Sequence, residues 1–175
     1  MDDERVARVG AWLRDHEPRS FQEARSRRLT LGYLGWLRRP FDETADPVHL
    51  TASAIVLDGH GRTLLHRHKR LGLWLQPGGH VDGREAPEDA ALREVREETG
   101  LDARHRGGYL RPVHIDVHEG GGGHLHLDLR YAVLAPPEPP RPPAGESQAV
   151  RWLTYARAEE LSDGSFADAL GAVNH

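Results

Sequence analysis

At 175 residues the chain has room for one domain with a real core and a short extension. A formal net charge of −4 argues against a general nucleic-acid binder, and the absence of cysteine excludes disulfides, a thiolate zinc site and a cysteine nucleophile. No apolar run approaches membrane-spanning length and the opening MDDERVARVG lacks the apolar region of a signal peptide, so a cytoplasmic protein with no membrane partner is expected.

In chain order, residues 2–40 read as two helices broken at HEPRS, with Val6, Val9 and Leu13 at helical spacing and Ser20 as N-cap of the second. RRPFDETADP reads as a linker, which divides the chain into an N-terminal helical extension (1–45) and a main domain (46–175). HLTASAIVLD and RTLLHRH then form a hairpin around GHG, and LWLQPGGHV is a short strand entering a glycine-rich turn. APEDAALREVREETG is a helix with Pro87 in its first turn and Gly100 as its stop. RPVHIDVHEGGGGHLHLDLRYAVLA alternates as a long hairpin, PPEPPRPP is an extended surface loop, AVRWLTY is a last strand, and ARAEEL and SFADALGAV are short helices. Strands interleaved with few helices specify a mixed α/β domain. Tyr33, Leu34, Trp36 and Leu37 give the extension more apolar surface than a lone helix exposes, so it packs on the domain or on a second subunit of a homodimer.

The helix after the glycine turn crowds its carboxylates. Glu94, Glu97 and Glu98 share one face, and like charges at these spacings each cost roughly 0.2–0.5 kcal/mol on an isolated helix. A salt-bridged surface face would supply cations, yet Glu94 and Glu98 have no basic neighbour at helical offsets. Only Glu97 has one, Arg93, which is also spaced to reach Asp89. Carboxylates concentrated without a protein cation are what a divalent metal site needs, and oxygen ligands suit Mg2+ or Mn2+.

Residues 79–101, GHVDGREAPEDAALREVREETGL, fit at every fixed position the pattern G, five residues, E, seven residues, R-E-U-x-E-E-x-G-U, with Val95 and Leu101 as the aliphatic U. The chain therefore resembles the Nudix hydrolase family, over the box itself and more loosely over residues 48–161. The resemblance implies a Nudix-type α/β/α sandwich around a mixed sheet, preceded here by the helical extension. It implies hydrolysis of a nucleoside diphosphate linked to another moiety, by attack of water on phosphorus. Glu94, Glu97 and Glu98 would bind the cations together with the carbonyl of Gly78. Glu85 would be a supporting carboxylate, and Arg93 would orient the ligand glutamates. The cations would neutralise the pyrophosphate and activate water. The general base would be Glu98 or Glu146, the latter in the loop GESQAVRW.

The hairpin offers a second cluster. Ile115, Val117, Leu125, Leu127 and Leu129 point one way; His114, Asp116, His118, His124, His126 and Asp128 point the other. A turn centred on Gly121 pairs His118 with His124, Asp116 with His126 and His114 with Asp128. The plain reading is a wet polar face. The functional readings are a substrate pocket, preferred because the Nudix sheet offers its open face to substrate, with His114, Asp116, His126 and Asp128 as contacts, or an imidazole-rich metal site. His66 and His68 would extend the patch, His80 receives no role, and Trp74, Tyr109 and Tyr131 are candidate base-stacking groups for which core or pocket wall is the preferred reading.

Three readings compete. The leading one is an Mg2+-dependent pyrophosphohydrolase acting on a nucleotide-derived small molecule, either a nucleoside triphosphate or a nucleotide sugar. A catalytically inactive nucleotide-sensing or partner-binding module is opposed by the complete glutamate set. The isomerase branch related to isopentenyl diphosphate isomerase resembles a Cys-plus-Glu chemistry that a cysteine-free chain lacks.

Overall fold

The computed structural model describes residues 4–173. Asp2, where the first helix is expected to begin, lies outside them. At the centre, β1 (Val48–Leu57) and β7 (Leu125–Leu134) run parallel along their whole length, from Val48 opposite Leu125 to Leu57 opposite Leu134. Both are covered on both faces, which explains the near-continuous apolar runs ASAIVL and YAVL. Antiparallel neighbours complete a mixed sheet. β2 (Arg62–Arg67) joins β1 through Leu57 opposite Thr63, and carries β3 (Trp74–Leu75) and β8 (Val150–Thr154). β4 (Gly78–His80) pairs with β1, while β5 (Arg104–His105) and β6 (His114–Glu119) pair with β7.

Alternation along β1 and β7 sorts the layers. Leu50, Ala52, Leu127 and Leu129 face a core shared with α1 (Glu4–Asp15), α2 (Phe21–Leu34) and α3 (Pro87–Thr99). Ile55, Leu57 and Ala132 face the opposite core, closed by α4 (Tyr155–Leu161) and α5 (Gly164–Val173). The fold is the expected α/β/α sandwich. α3 buries Ala90, Ala91 and Val95, its small residues letting it lie close to the sheet. It ends at Gly100, whose φ of 72° is left-handed; a Cβ there would overlap the carbonyl oxygen of Arg141.

Three sequence expectations change. The glycine-rich turn before α3 is in part a strand: a Cβ on Gly78 would meet Ser53 Cβ, so glycine is what lets β4 lie against β1. The β6–β7 pairing is shifted by two residues, with Asp116 opposite Asp128 and His118 opposite His126, because the turn is centred on Gly122, at φ 73°. An even shift keeps every side chain on its face but changes each partner. That polar face is also not wet: His114, Asp116, Asp128 and Arg130 are all buried.

The N-terminal helices pack on their own domain. Val9, Leu13, Leu37 and Phe41 join the first core, and Val117 N donates to Ser26 Oγ at 3.1 Å, closing the free edge of β6. Ser20 caps α2 by accepting from Glu23 N at 3.1 Å, while the Glu23 carboxylate accepts from Arg19 N at 2.7 Å. No helix among the described residues is long and apolar enough to cross a membrane.

Candidate active site

Glu94 and Glu98 of α3 converge on β4. A Cβ on Gly79 would stand 2.5 Å from Glu94 Oε1, so only glycine lets the backbone and this carboxylate approach. Gly78 N donates to Glu98 Oε2 at 3.1 Å. The amide of Gly78, rather than its carbonyl, is thus the group seen in contact with a box glutamate.

Arg93 organises the cluster, though not through Asp89, to which the sequence spacing pointed. Its Nη1 donates to Glu94 Oε1 at 2.8 Å and Glu97 Oε2 at 2.9 Å. Its Nε and Nη2 hold the Glu85 carboxylate, each at 3.1 Å, and Nη2 also donates to the His80 carbonyl at 2.8 Å. Glu94 therefore does have a cationic partner, from the adjacent helical position. Burial opposes the Arg93 charge, but the hydrogen bonds and charges of Glu85 and Glu94 outweigh it and hold the guanidinium firmly protonated. Burial raises the pKa of Glu94, offset in part by Arg93.

Glu98 is different. His66 Nε2 lies 3.6 Å from its Oε2, but burial and the neighbouring His68 hold His66 at about 4, so at neutral pH this contact is not an ion pair. Burial first, then the charge on Glu94, push Glu98 up to about 8, with Glu146 and Glu97 adding to the shift against the Gly78 amide. Glu146 is thus electrostatically coupled to Glu98. It lies half-buried in an open groove of about 780 Å3, between the loop after β2 and the loop before β8, whose wall also carries Arg67 and Lys69. An all-oxygen donor set of three carboxylates, one without a cation and strained against ionisation, fits a hard divalent ion such as Mg2+.

The hairpin residues are not brought to this cluster. Asp128 accepts from Thr51 Oγ1 at 3.1 Å and Ser53 Oγ at 2.7 Å, on the face of β1 opposite the one that packs on α3. Arg130, which the alternation also predicts for this face, donates to Asp116 Oδ2 and Asp128 Oδ2, both at 3.2 Å, and to the Ser165 carbonyl of α5. Burial would raise Asp116, but the hydrogen bond to His118 and the charge of Arg130 hold it well below the usual carboxylate range. His114 is enclosed, with neither ring nitrogen hydrogen-bonded, and burial holds it at about 4. His114, Asp116 and Asp128 thus sit inside the protein rather than lining a pocket beside the glutamates. Tyr131 is in the core, Trp74 packs under Arg151, and Tyr109 is exposed.

An α/β/α sandwich carrying an oxygen-ligand cluster on a glycine-braced helix defines the class of protein. The family model described as "NUDIX domain" matches residues 47–170. A MutT-like protein from Streptomyces ambofaciens is 29% identical over 134 residues, 73% of this chain and 78% of that one. An 8-oxo-dGTP diphosphatase from Proteus vulgaris is 34% identical over 55 residues, 29% of this chain and 49% of that one. A crystal structure of a NUDIX-family hydrolase from Clostridium perfringens superposes with a TM-score of 0.62 at 26% identity, covering 71% of this chain and 95% of that one. The chain belongs to the Nudix family, and it is a hydrolase acting on phosphoric anhydride bonds.

Proposed function

We propose that the chain is a divalent-cation-dependent pyrophosphohydrolase whose substrate is a nucleoside diphosphate linked to another group, with nucleoside triphosphates as the first class and nucleotide sugars as the second. The observation that carries this reading is Glu98: an enclosed carboxyl pushed up to about 8, beside Glu94 and Glu97 and without a protein cation. Bound Mg2+ supplies charge neutralisation of the diphosphate and activation of water. Glu94, Glu97 and Glu98 hold it, with the Gly78 carbonyl as a further oxygen. Arg93, gripping Glu85, Glu94, Glu97 and the His80 carbonyl together, keeps the ligands in one geometry. Glu98 or Glu146 takes the proton from the attacking water, and their electrostatic coupling supports either assignment. Arg67 and Lys69 on the groove beside Glu146 suit a polyphosphate, and the Proteus vulgaris relative, an 8-oxo-dGTP diphosphatase, supports the triphosphate class.

The test is release of phosphate or pyrophosphate from nucleoside triphosphates, nucleotide sugars, ADP-ribose and dinucleoside polyphosphates, with and without Mg2+ or Mn2+. Cation-dependent cleavage of one class is expected, and Glu97→Gln, at a side chain 56% exposed, should fold normally while turnover falls about 100-fold or more. Folded protein that binds the cation but cleaves nothing, or near-normal turnover in the variant, would overturn the reading.

A further inference from the structure

On the sheet face away from α3, three strands bring histidines to one point: His49 from β1, His80 from β4 and His126 from β7. One ring nitrogen from each lies within 4.8 Å of the others. His49 is fully buried, and neither of its ring nitrogens has a hydrogen-bond partner. An enclosed imidazole without a well-formed hydrogen bond carries an unmet desolvation cost, which a ligand at this point would remove. The ring of His49 is 5.0 Å, centroid to centroid, from those of His80 and of His126.

We infer that His49, His80 and His126 form a binding site for a borderline divalent transition cation, Zn2+ above all, separate from the glutamate cluster. Imidazole nitrogens select such ions over Mg2+, and three protein nitrogens with one further position make the tetrahedral set that Zn2+ takes. Zn–N bonds of about 2.0–2.1 Å set ligand nitrogens about 3.3 Å apart, so the half-buried rings of His80 and His126 turn inwards on binding while His49 stays fixed. The fourth position opens towards His124, whose ring is 5.2 Å from that of His49.

Two surrounding features fit this ligand. Glu43 Oε2 lies 3.0 Å from His80 Nδ1, the carboxylate–imidazole contact that orients a ligand histidine and leaves Nε2 for the metal. Gly120 leaves room for the His126 ring: a Cβ there would stand 2.3 Å from Nε2. The ion would be structural. It would staple β4 to the two central strands, and through the His80 carbonyl, which accepts from Arg93, it would brace the loop that carries the box glutamates.

The experiment is calorimetric titration of tag-free, chelator-stripped full chain with Zn2+ in excess Mg2+, with Co2+ visible absorption as a report of four-coordinate nitrogen ligation. One ion per chain is expected, undisturbed by Mg2+. His80→Gln and His126→Gln, both at half-buried positions, should weaken it about 100-fold or more, and Glu43→Gln and Gly120→Ala about 10-fold. Glu94→Gln and Glu98→Gln should leave it unchanged. Absence of binding to the unaltered chain in excess Mg2+, unchanged affinity in both histidine variants, or loss of the ion in the glutamate variants instead would overturn the inference.

Discussion

At neutral pH the metal-free Glu98 carboxyl, pushed up to about 8, keeps its proton, whereas an unfolded glutamate ionises near 4.5. Between these values the folded chain binds more protons than the unfolded one, so stability falls as pH rises through that window and levels off above it. Glu98→Gln removes the dependence. In chelator, its melting temperature should match the unaltered chain near pH 4 and exceed it by the largest margin above pH 8, where the gain in stability is roughly 5 kcal/mol at most. Mg2+ should restore the unaltered chain and not the variant. An equal difference at both ends of the pH range would show that the metal-free Glu98 is not held protonated, and an equal response of both chains to Mg2+ would remove it from the ion-binding set. The three glutamates were legible in the sequence because adjacency on a helix is local. The partners of Arg93 were legible only in part: Glu97 lies one turn along the same helix, whereas Glu85 and the His80 carbonyl come from the preceding loop and strand, whose path no helical offset describes. His49 and His80 went unassigned for the same reason. They lie 31 positions apart and meet only because β4 adds to β1, although His49 does stand in alternation with Thr51 and Ser53, the polar residues of its face.

The β6–β7 hairpin turns the same lesson from residues to strands. Its alternation sorted the two faces correctly, but alternation says nothing about what covers a face. α5 closes the polar side, so a row that looks wet in sequence becomes an enclosed network of Asp116, Asp128 and Arg130 with Thr51 and Ser53. Two carboxylates around one guanidinium make this network asymmetric. Arg130→Met leaves both carboxylates enclosed without their cation and should destabilise the fold by roughly 3–5 kcal/mol, whereas Asp116→Asn, which leaves Arg130 paired with Asp128, should cost less. Urea unfolding of the two variants at pH 7 decides it. A smaller loss for Arg130→Met than for Asp116→Asn would show that Arg130 is not the hub. Destabilisation without any change in KM is also expected, because the network faces away from the glutamates.

For the molecule as a whole, the N-terminal extension is the part the family does not account for: the family match starts at residue 47, and the Clostridium perfringens structure is almost wholly covered by 71% of this chain. The Clostridium perfringens chain has the fold with little beyond the core, but this core has been built around its extension. Val9, Leu13, Leu37 and Phe41 are buried in it, worth roughly 1.5–3 kcal/mol each, which together approaches the whole stability of an ordinary domain. Arg5 donates to the carbonyls of Gly83 and Glu85, Arg8 pairs with Glu88 at 2.9 Å, and the linker contributes Glu43 to His80, so the extension also holds both ends of the box loop. α2 meanwhile covers β6, and without it that strand would present an unpaired edge to other chains. A chain lacking residues 1–40 should therefore be insoluble or aggregate instead of giving a smaller active hydrolase. Recovery of a monomeric, cooperatively melting, active truncation by size-exclusion chromatography and calorimetry would show that the extension is an ornament on a self-sufficient core.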